Sequence, residues 1–200
     1  GNKLTGTLHK NLSNMLDSLR ELAVGENAVE ADILGIEHST AVTTVKPSGT
    51  VSQLTGVSSG IHPWYSKHYI RTVRADNKDP LTQFLKDFGV PNEPDVMKPD
   101  ATTVFSFPIA APKNAVVTSD LSAIDHLEVW KAYRDNWTEH NPSVTVNVHE
   151  DEWLDVGAWV YKNFDSIGGV SFLPAVEHSY KQAPYQEITR EEYESALASM

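Results

Sequence analysis

The chain has 200 residues, no cysteine and a formal net charge of −11, from 16 Lys+Arg against 27 Asp+Glu. With 40 % apolar and 22 % charged residues it has the composition of a globular protein with a sizeable core, which excludes disorder, collagen and coiled coil. Lacking cysteine, these residues form no disulfide, thiolate zinc site, iron–sulfur cluster or catalytic thiol, and the acidic balance argues against a nucleic-acid partner, whose backbone needs clustered Lys and Arg.

No apolar run reaches the roughly 20 residues of a membrane span. The first residues are not a signal peptide, so no membrane partner and a cytoplasmic location are expected. The chain does not begin with Met and reads as a processed chain or a piece of something longer.

Helix and strand patterns alternate along the chain. Leu8, Leu12, Met15, Leu16, Leu19 and Leu22 share one face at helical spacing, and Gly25 is expected to stop that helix. Residues 41–45 read as a strand ending in Lys46-Pro47-Ser48-Gly49-Thr50. A loop through Gly60, Pro63 and Trp64 leads to a strand at residues 69–74. Asp79-Pro80 is an N-cap followed by proline at the first helical position. Leu81, Phe84, Leu85 and Phe88 form the apolar stripe of that helix, and Gly89 ends it. Residues 90–100 form a proline-containing loop, and residues 102–107 a strand.

Ile124, Leu127, Trp130, Tyr133 and Trp137 line one face of a longer helix, and residues 143–148 alternate as a strand. Trp153, Val156, Val160 and Phe164 repeat at helical spacing, a pattern in which only one of Trp153 and Trp159 can face the core. Residues 169–173 form a short strand, and Thr189 with Glu192 caps an acidic last helix. The alternation predicts an α/β layer architecture of largely parallel strands, with residues 1–200 as a single α/β domain.

The segment Thr44-Val45-Lys46-Pro47-Ser48-Gly49-Thr50-Val51-Ser52 carries the most chemistry. Pro47 fixes a turn, and Gly49 lets a ligand approach the backbone. Ser48, Thr50 and Ser52 offer hydroxyls, and a helix starting near Thr50 would add unsatisfied N–H groups, which together make an anion site. The Gly-x4-Gly-Lys-Ser/Thr spacing of a P-loop is missing. A plain strand-to-helix turn with a capping hydroxyl has the same pattern, and spacing alone leaves both readings open.

Other candidates are weaker. The eight histidines form no His-x3-His or His-Glu-x2-His pattern, so no metal site is expected. His62 lies near the Ser48 loop and reads as a packed turn residue rather than a base. His149-Glu150-Asp151-Glu152 places carboxylates in a helix's first turn, where the dipole explains them. Ser58-Ser59-Gly60 lacks a Gly-x-Ser-x-Gly elbow, and the tryptophans read as packing rather than base-stacking residues.

Residues 43–74 read TTVKPSGTVSQLTGVSSGIHPWYSKHYIRTVR. This resembles the segment after the active-site loop in the adenosylcobalamin-dependent (class II) ribonucleotide reductases. Asn141-Pro142-Ser143-Val144-Thr145-Val146 is similar to that family's Asn-x-Ser-Val-Thr-Val strand. Gly169-Val170-Ser171-Phe172-Leu173-Pro174 and Gln182-Ala183-Pro184-Tyr185-Gln186-Glu187-Ile188-Thr189 look like its late barrel strand and the segment after it.

The resemblance implies part of a ten-stranded α/β barrel, of which this chain would be the C-terminal portion. It implies radical reduction of ribonucleotides with adenosylcobalamin as cofactor, whose contact with this chain is left open. It implies that Ser48, Gly49, Thr50, Val51 and Ser52 hold the phosphate of a ribonucleoside di- or triphosphate, mostly through backbone N–H groups. The family's radical loop, its Asn-x-Cys-x-Glu loop and its redox cysteines have no counterpart here, so no catalytic residue is assigned. The expectation is a reductase fragment or split subunit, inactive alone and partnered by a cysteine-bearing remainder. A fragment of a barrel would have open sheet edges, so self-association or a tight partner chain is also expected. A free-standing nucleotide-binding or regulatory module without catalysis is the alternative, and a structural domain whose turn binds nothing is a third reading.

Overall fold

The structure is a computed structural model that describes residues 6–175 and 181–200, with residues 6–9 described by their backbone alone. It divides into two compact units, residues 1–63 with 119–176 and residues 64–118 with 177–200.

The first unit opens with α1, Gly6–Leu34. Gly25 does not stop this helix, contrary to the sequence pattern. An interior glycine costs about 1 kcal/mol against alanine, and the residues after it include the good helix formers Glu26, Ala28, Glu30, Ala31 and Leu34. The stop is Gly35, at φ +67°, where the N–H groups of Gly35 and Ile36 donate to Asp32 and Ala31 carbonyls at 3.3 and 3.0 Å. Of the expected stripe, Leu16 is buried and Met15, Leu19 and Leu22 are exposed, while the side chain of Leu8 lies outside the described residues. Residues 41–45 do not form the expected strand. The Glu139 carboxylate accepts the N–H groups of Val42 and Thr43 at 2.7 and 3.2 Å in place of a ladder. Those donors hold the Glu139 carboxyl below its usual range.

A short helix α2, Val51–Thr55, precedes the core elements: α4, Ala123–Asn136; β4, Thr145–Val148; α5, Trp153–Lys162; and β5, Ser171–Pro174. β4 and β5 pair in parallel from Thr145↔Ser171 to Val148↔Pro174, joined through α5 as a parallel crossover requires. α4 begins at a capping box in which Ser122 Oγ accepts from Asp125 N–H and Asp125 accepts from Ser122 N–H. Leu127, Trp130, Val144, Val146, Val148, Val156 and Trp159 make the core. Trp130 is fully buried, donates its indole N–H to Pro142 O at 2.9 Å and meets Trp159 edge-on at 6.3 Å. Only one of the two tryptophans six apart is buried, Trp159, while Trp153 and Phe164 of the expected stripe are exposed. His126 on α4 is 5 % exposed and donates from Nε2 to Ile61 O at 3.1 Å. Burial, reinforced by repulsion from His62, pushes its pKa down to about 4.

The second unit is built on a sheet of order β2-β3-β1-β6, antiparallel throughout. Its strands are β1, His68–Asp76; β2, Asn92–Pro94; β3, Thr102–Ala110; and β6, Tyr185–Glu187. The expected set of largely parallel strands is therefore corrected: among the described residues the β4/β5 pair is parallel and the larger sheet is not. The helices are α3, Pro80–Asp87, and α6, Arg190–Ala198. Asp79 caps α3 by accepting from Leu81 N–H at 2.9 Å, and Thr189 caps α6 in a box with Glu192. The α3 stripe is turned outward. Leu81, Phe84 and Phe88 are exposed, Leu85 is half-buried, and the buried residue is Thr82, whose hydroxyl donates to Asp76 O at 2.7 Å. Gln182 is buried in the left-handed region at φ 59° and reaches Pro94 O, Glu93 Oε1 and Val96 N–H. Asp95 beside it accepts from Arg74 Nε at 2.8 Å and from the N–H groups of Met97 and Lys98, which hold its carboxyl below the usual range.

Two stability outcomes follow from the first unit. Trp130→Ala should cost about 3–5 kcal/mol in urea unfolding of the chain, against less than about 0.5 kcal/mol for the exposed Leu154→Ala. Equal costs would mean that this core is not formed. His126 is neutral when folded and takes a proton more readily when unfolded, so stability should fall as pH drops from about 6.5 toward about 4. The loss should reach up to about 3 kcal/mol and shrink in His126→Gln; an unchanged profile in that variant would assign the acid sensitivity elsewhere.

Candidate functional site

The Ser48 loop lies between residues 41–47 and α2, within the first unit. Its shape comes from two interlocked serine contacts. Ser59 Oγ accepts from Ser48 N–H at 2.8 Å and donates to Ser48 O at 3.0 Å. Ser48 Oγ accepts from Ser52 N–H at 3.0 Å, while Ser52 Oγ donates to the same Ser48 carbonyl at 2.9 Å. Ser52 is 2 % exposed, with both its donors used inside the loop.

α2 starts at Val51 with Thr50 as N-cap, as the sequence pattern places it, but Thr50's side chain makes no cap bond. Thr50 O accepts the N–H groups of Gln53 and Leu54 at 3.0 and 3.2 Å. The N–H groups of Thr50 and Val51 and the Thr50 hydroxyl have no protein acceptor among the described residues. Gly49, Thr50 and Val51 are exposed, and a Cβ built on Gly49 meets nothing within 4 Å. Neutral dipoles therefore face solvent across an unobstructed glycine, a surface that can hydrogen-bond an anion's oxygens.

Residues 58–62 form the back of the loop. Gly60 is obligatory there: its φ is +60°, and a Cβ would stand 3.0 Å from Lys46 O and 3.3 Å from Val45 Cγ1. His62 contacts Ser59 O through Nδ1 at 2.9 Å and accepts from Thr145 N–H at Nε2 at 3.0 Å. Both ring nitrogens are thus occupied in packing, as the sequence reading of a turn residue holds. Lys46 points away from the loop and donates to Asn141 O and Ser143 Oγ, each at 2.9 Å.

The sequence reading did not single out Ser59 or Gly60 as part of this site. The available signal was Gly60 beside two serines, ahead of a histidine able to bond backbone on both sides. Of the carboxylates at residues 150–152, Glu152 is structural: it accepts from Ala123 N–H at 2.8 Å and from His149 N–H at 2.9 Å. Among the described residues no group of three or more His, Asp or Glu side chains could hold a metal ion.

Comparison with known proteins gives these residues relatives. No family model matches the chain. An adenosylcobalamin-dependent ribonucleoside-triphosphate reductase of Lactobacillus gasseri is 33 % identical over 185 residues, covering 90 % of this chain and 25 % of the relative. The Euglena gracilis reductase of the same name is 33 % identical over 166 residues, covering 82 % of this chain and 23 % of the relative. A crystal structure of a B-12 dependent (class II) ribonucleotide reductase superposes with a TM-score of 0.84 at 29 % identity, over 95 % of this chain and 27 % of that one. The chain spans about a quarter of the length of the relatives it matches. In sequence and in fold the chain is thus similar to about a quarter of an adenosylcobalamin-dependent ribonucleotide reductase.

Proposed function

We propose that residues 1–200 are the C-terminal portion of the catalytic barrel of a cobalamin-dependent ribonucleotide reductase, and that the Ser48 loop seats the substrate's phosphates. The observation that carries this is the pair of unpartnered N–H groups at Thr50 and Val51, beside an unobstructed Gly49. In this assignment Thr50 and Val51 donate through their backbone and Thr50 through its hydroxyl. Ser48 contributes its hydroxyl proton, Gly49 admits the ligand, and Ser52 fastens the turn.

The substrate class is a ribonucleoside triphosphate, the class named for the Lactobacillus and Euglena relatives. The chain is inactive by itself in this assignment, because the thiols that reduce the ribose have no cysteine here to come from. A cysteine-bearing remainder supplies them, and adenosylcobalamin serves the assembled enzyme; no residue of this chain is assigned a contact with it. The exposed apolar residues Leu81, Phe84 and Phe88 on α3 and Leu154 and Tyr161 on α5 suit burial against that remainder. No helix among the described residues is long and apolar enough to cross a membrane, which fits a cytoplasmic enzyme.

Calorimetric titration of the chain with a ribonucleoside triphosphate tests the loop. Weak binding is expected, displaced by inorganic tripolyphosphate and abolished in Gly49→Val. That variant should unfold at the same urea concentration as the parent, because a Cβ at Gly49 meets no neighbour within 4 Å. Heat retained in Gly49→Val would place the anion elsewhere. No heat even with the remainder restored would overturn the phosphate assignment.

A further inference from the structure

The segment behind the loop carries a second assignment, which rests in its functional part on the phosphate reading. We infer that His62 is the positioning residue of the Ser48 loop: its neutral ring, held in one tautomer, ties the loop to strand β4. Ser59 O can only accept, so the proton lies on His62 Nδ1, 2.9 Å away. Thr145 N–H can only donate, so Nε2, 3.0 Å from it, carries no proton.

The contact then passes on through Ser59. The same residue whose carbonyl is held by the ring uses its hydroxyl to hold both backbone groups of Ser48. Ser48 Oγ and Ser48 O in turn fix Ser52. Thr145 of β4, His62, Ser59, Ser48 and Ser52 thus form one continuous hydrogen-bonded chain that orients the Thr50 and Val51 N–H groups.

A second histidine braces the same turn. His126 from α4 packs edge-on to His62 at a centroid distance of 5.7 Å and donates to Ile61 O, so both imidazoles hold carbonyls of the residue 59–62 turn. A ring with both nitrogens so engaged has no lone pair left to act as a base. Its role is geometric, transmitted through Ser59.

The test uses the whole chain. Long-range 15N spectra of the histidine rings should report His62 as the Nδ1–H tautomer and His126 as the Nε2–H tautomer. His62→Asn keeps a donor for Ser59 O, His62→Gln keeps an acceptor for Thr145 N–H, and His62→Ala keeps neither. Amide exchange at Ser48 and Ser52 should quicken roughly tenfold in the Ala and Gln variants and stay near the parent rate in Asn. Affinity for inorganic tripolyphosphate should follow the same order.

An Nε2–H tautomer at His62, or equal exchange in Asn and Gln, overturns the assignment. The tautomer and the Asn/Gln comparison decide it even if the Ala variant does not fold. If exchange follows the expected order while the parent chain binds no tripolyphosphate, the positioning role stands and the phosphate reading fails.

Discussion

Outside α2, the backbone of residues 41–62 has neither a strand ladder nor helical bonds, so its polar groups must be met one at a time, and the loop's geometry is the result. Glu139 meets the amides at Val42 and Thr43, and Ser59 meets both backbone groups of Ser48. Gly60, at φ +60° and with room for no Cβ beside Lys46 O, lets the chain turn back so that Ser59 comes into reach. Packing of α4 and α5 on β4 and β5 supplies the fixed frame to which these single bonds attach. A ladder tolerates the loss of one bond because its neighbours remain. A segment held singly does not, and so one serine or histidine weighs more here than its exposure suggests.

Much of the element structure was legible. Asp79-Pro80 and Thr189 with Glu192 are local signals, and each marks a helix start in the structure. Strand direction was not legible, because alternating side chains read alike in parallel and antiparallel pairs. The pairing of β1 with β3 depends on a partner more than twenty residues away. Residues 41–45 show the same limit: β-branched residues favour extended backbone, but a strand also needs a neighbour along its length. The outward face of α3 escaped for a related reason. A helical apolar stripe says which face wants burial and not what covers it.

At the site, the position of the turn and of α2 was legible, while the division of labour inside it was not. Five consecutive residues were expected to hold phosphate, mostly through their backbone N–H groups. The fold uses Ser52 for internal fastening and leaves Thr50 and Val51 outward, a distinction set by Ser59 eleven residues from Ser48. Charge adds a further asymmetry. Lys46, the nearest cation in sequence, is held on Asn141 O and Ser143 Oγ, and the chain as a whole is at −11. The outward-facing groups of Thr50 and Val51 are therefore neutral dipoles, and the nearest cation in sequence is engaged elsewhere.

The edges of the antiparallel sheet bear on how such a piece survives outside a larger assembly. Its two long central strands are flanked by β2 and β6, each only three residues, and β2 carries Glu93 and Pro94. Along the outer side of β1 the run from Gln182 to Glu187 is laid down as a selvage, with Thr72 N–H on Pro184 O at 3.0 Å and Arg74 on Gln182 O at 3.2 Å. Short, charged and proline-bearing margins are poor templates for another chain's backbone. The margins of the second unit are thus poorly suited to pairing with another strand, which leaves the apolar face of α3, with Leu81, Phe84 and Phe88, as its most exposed hydrophobic surface.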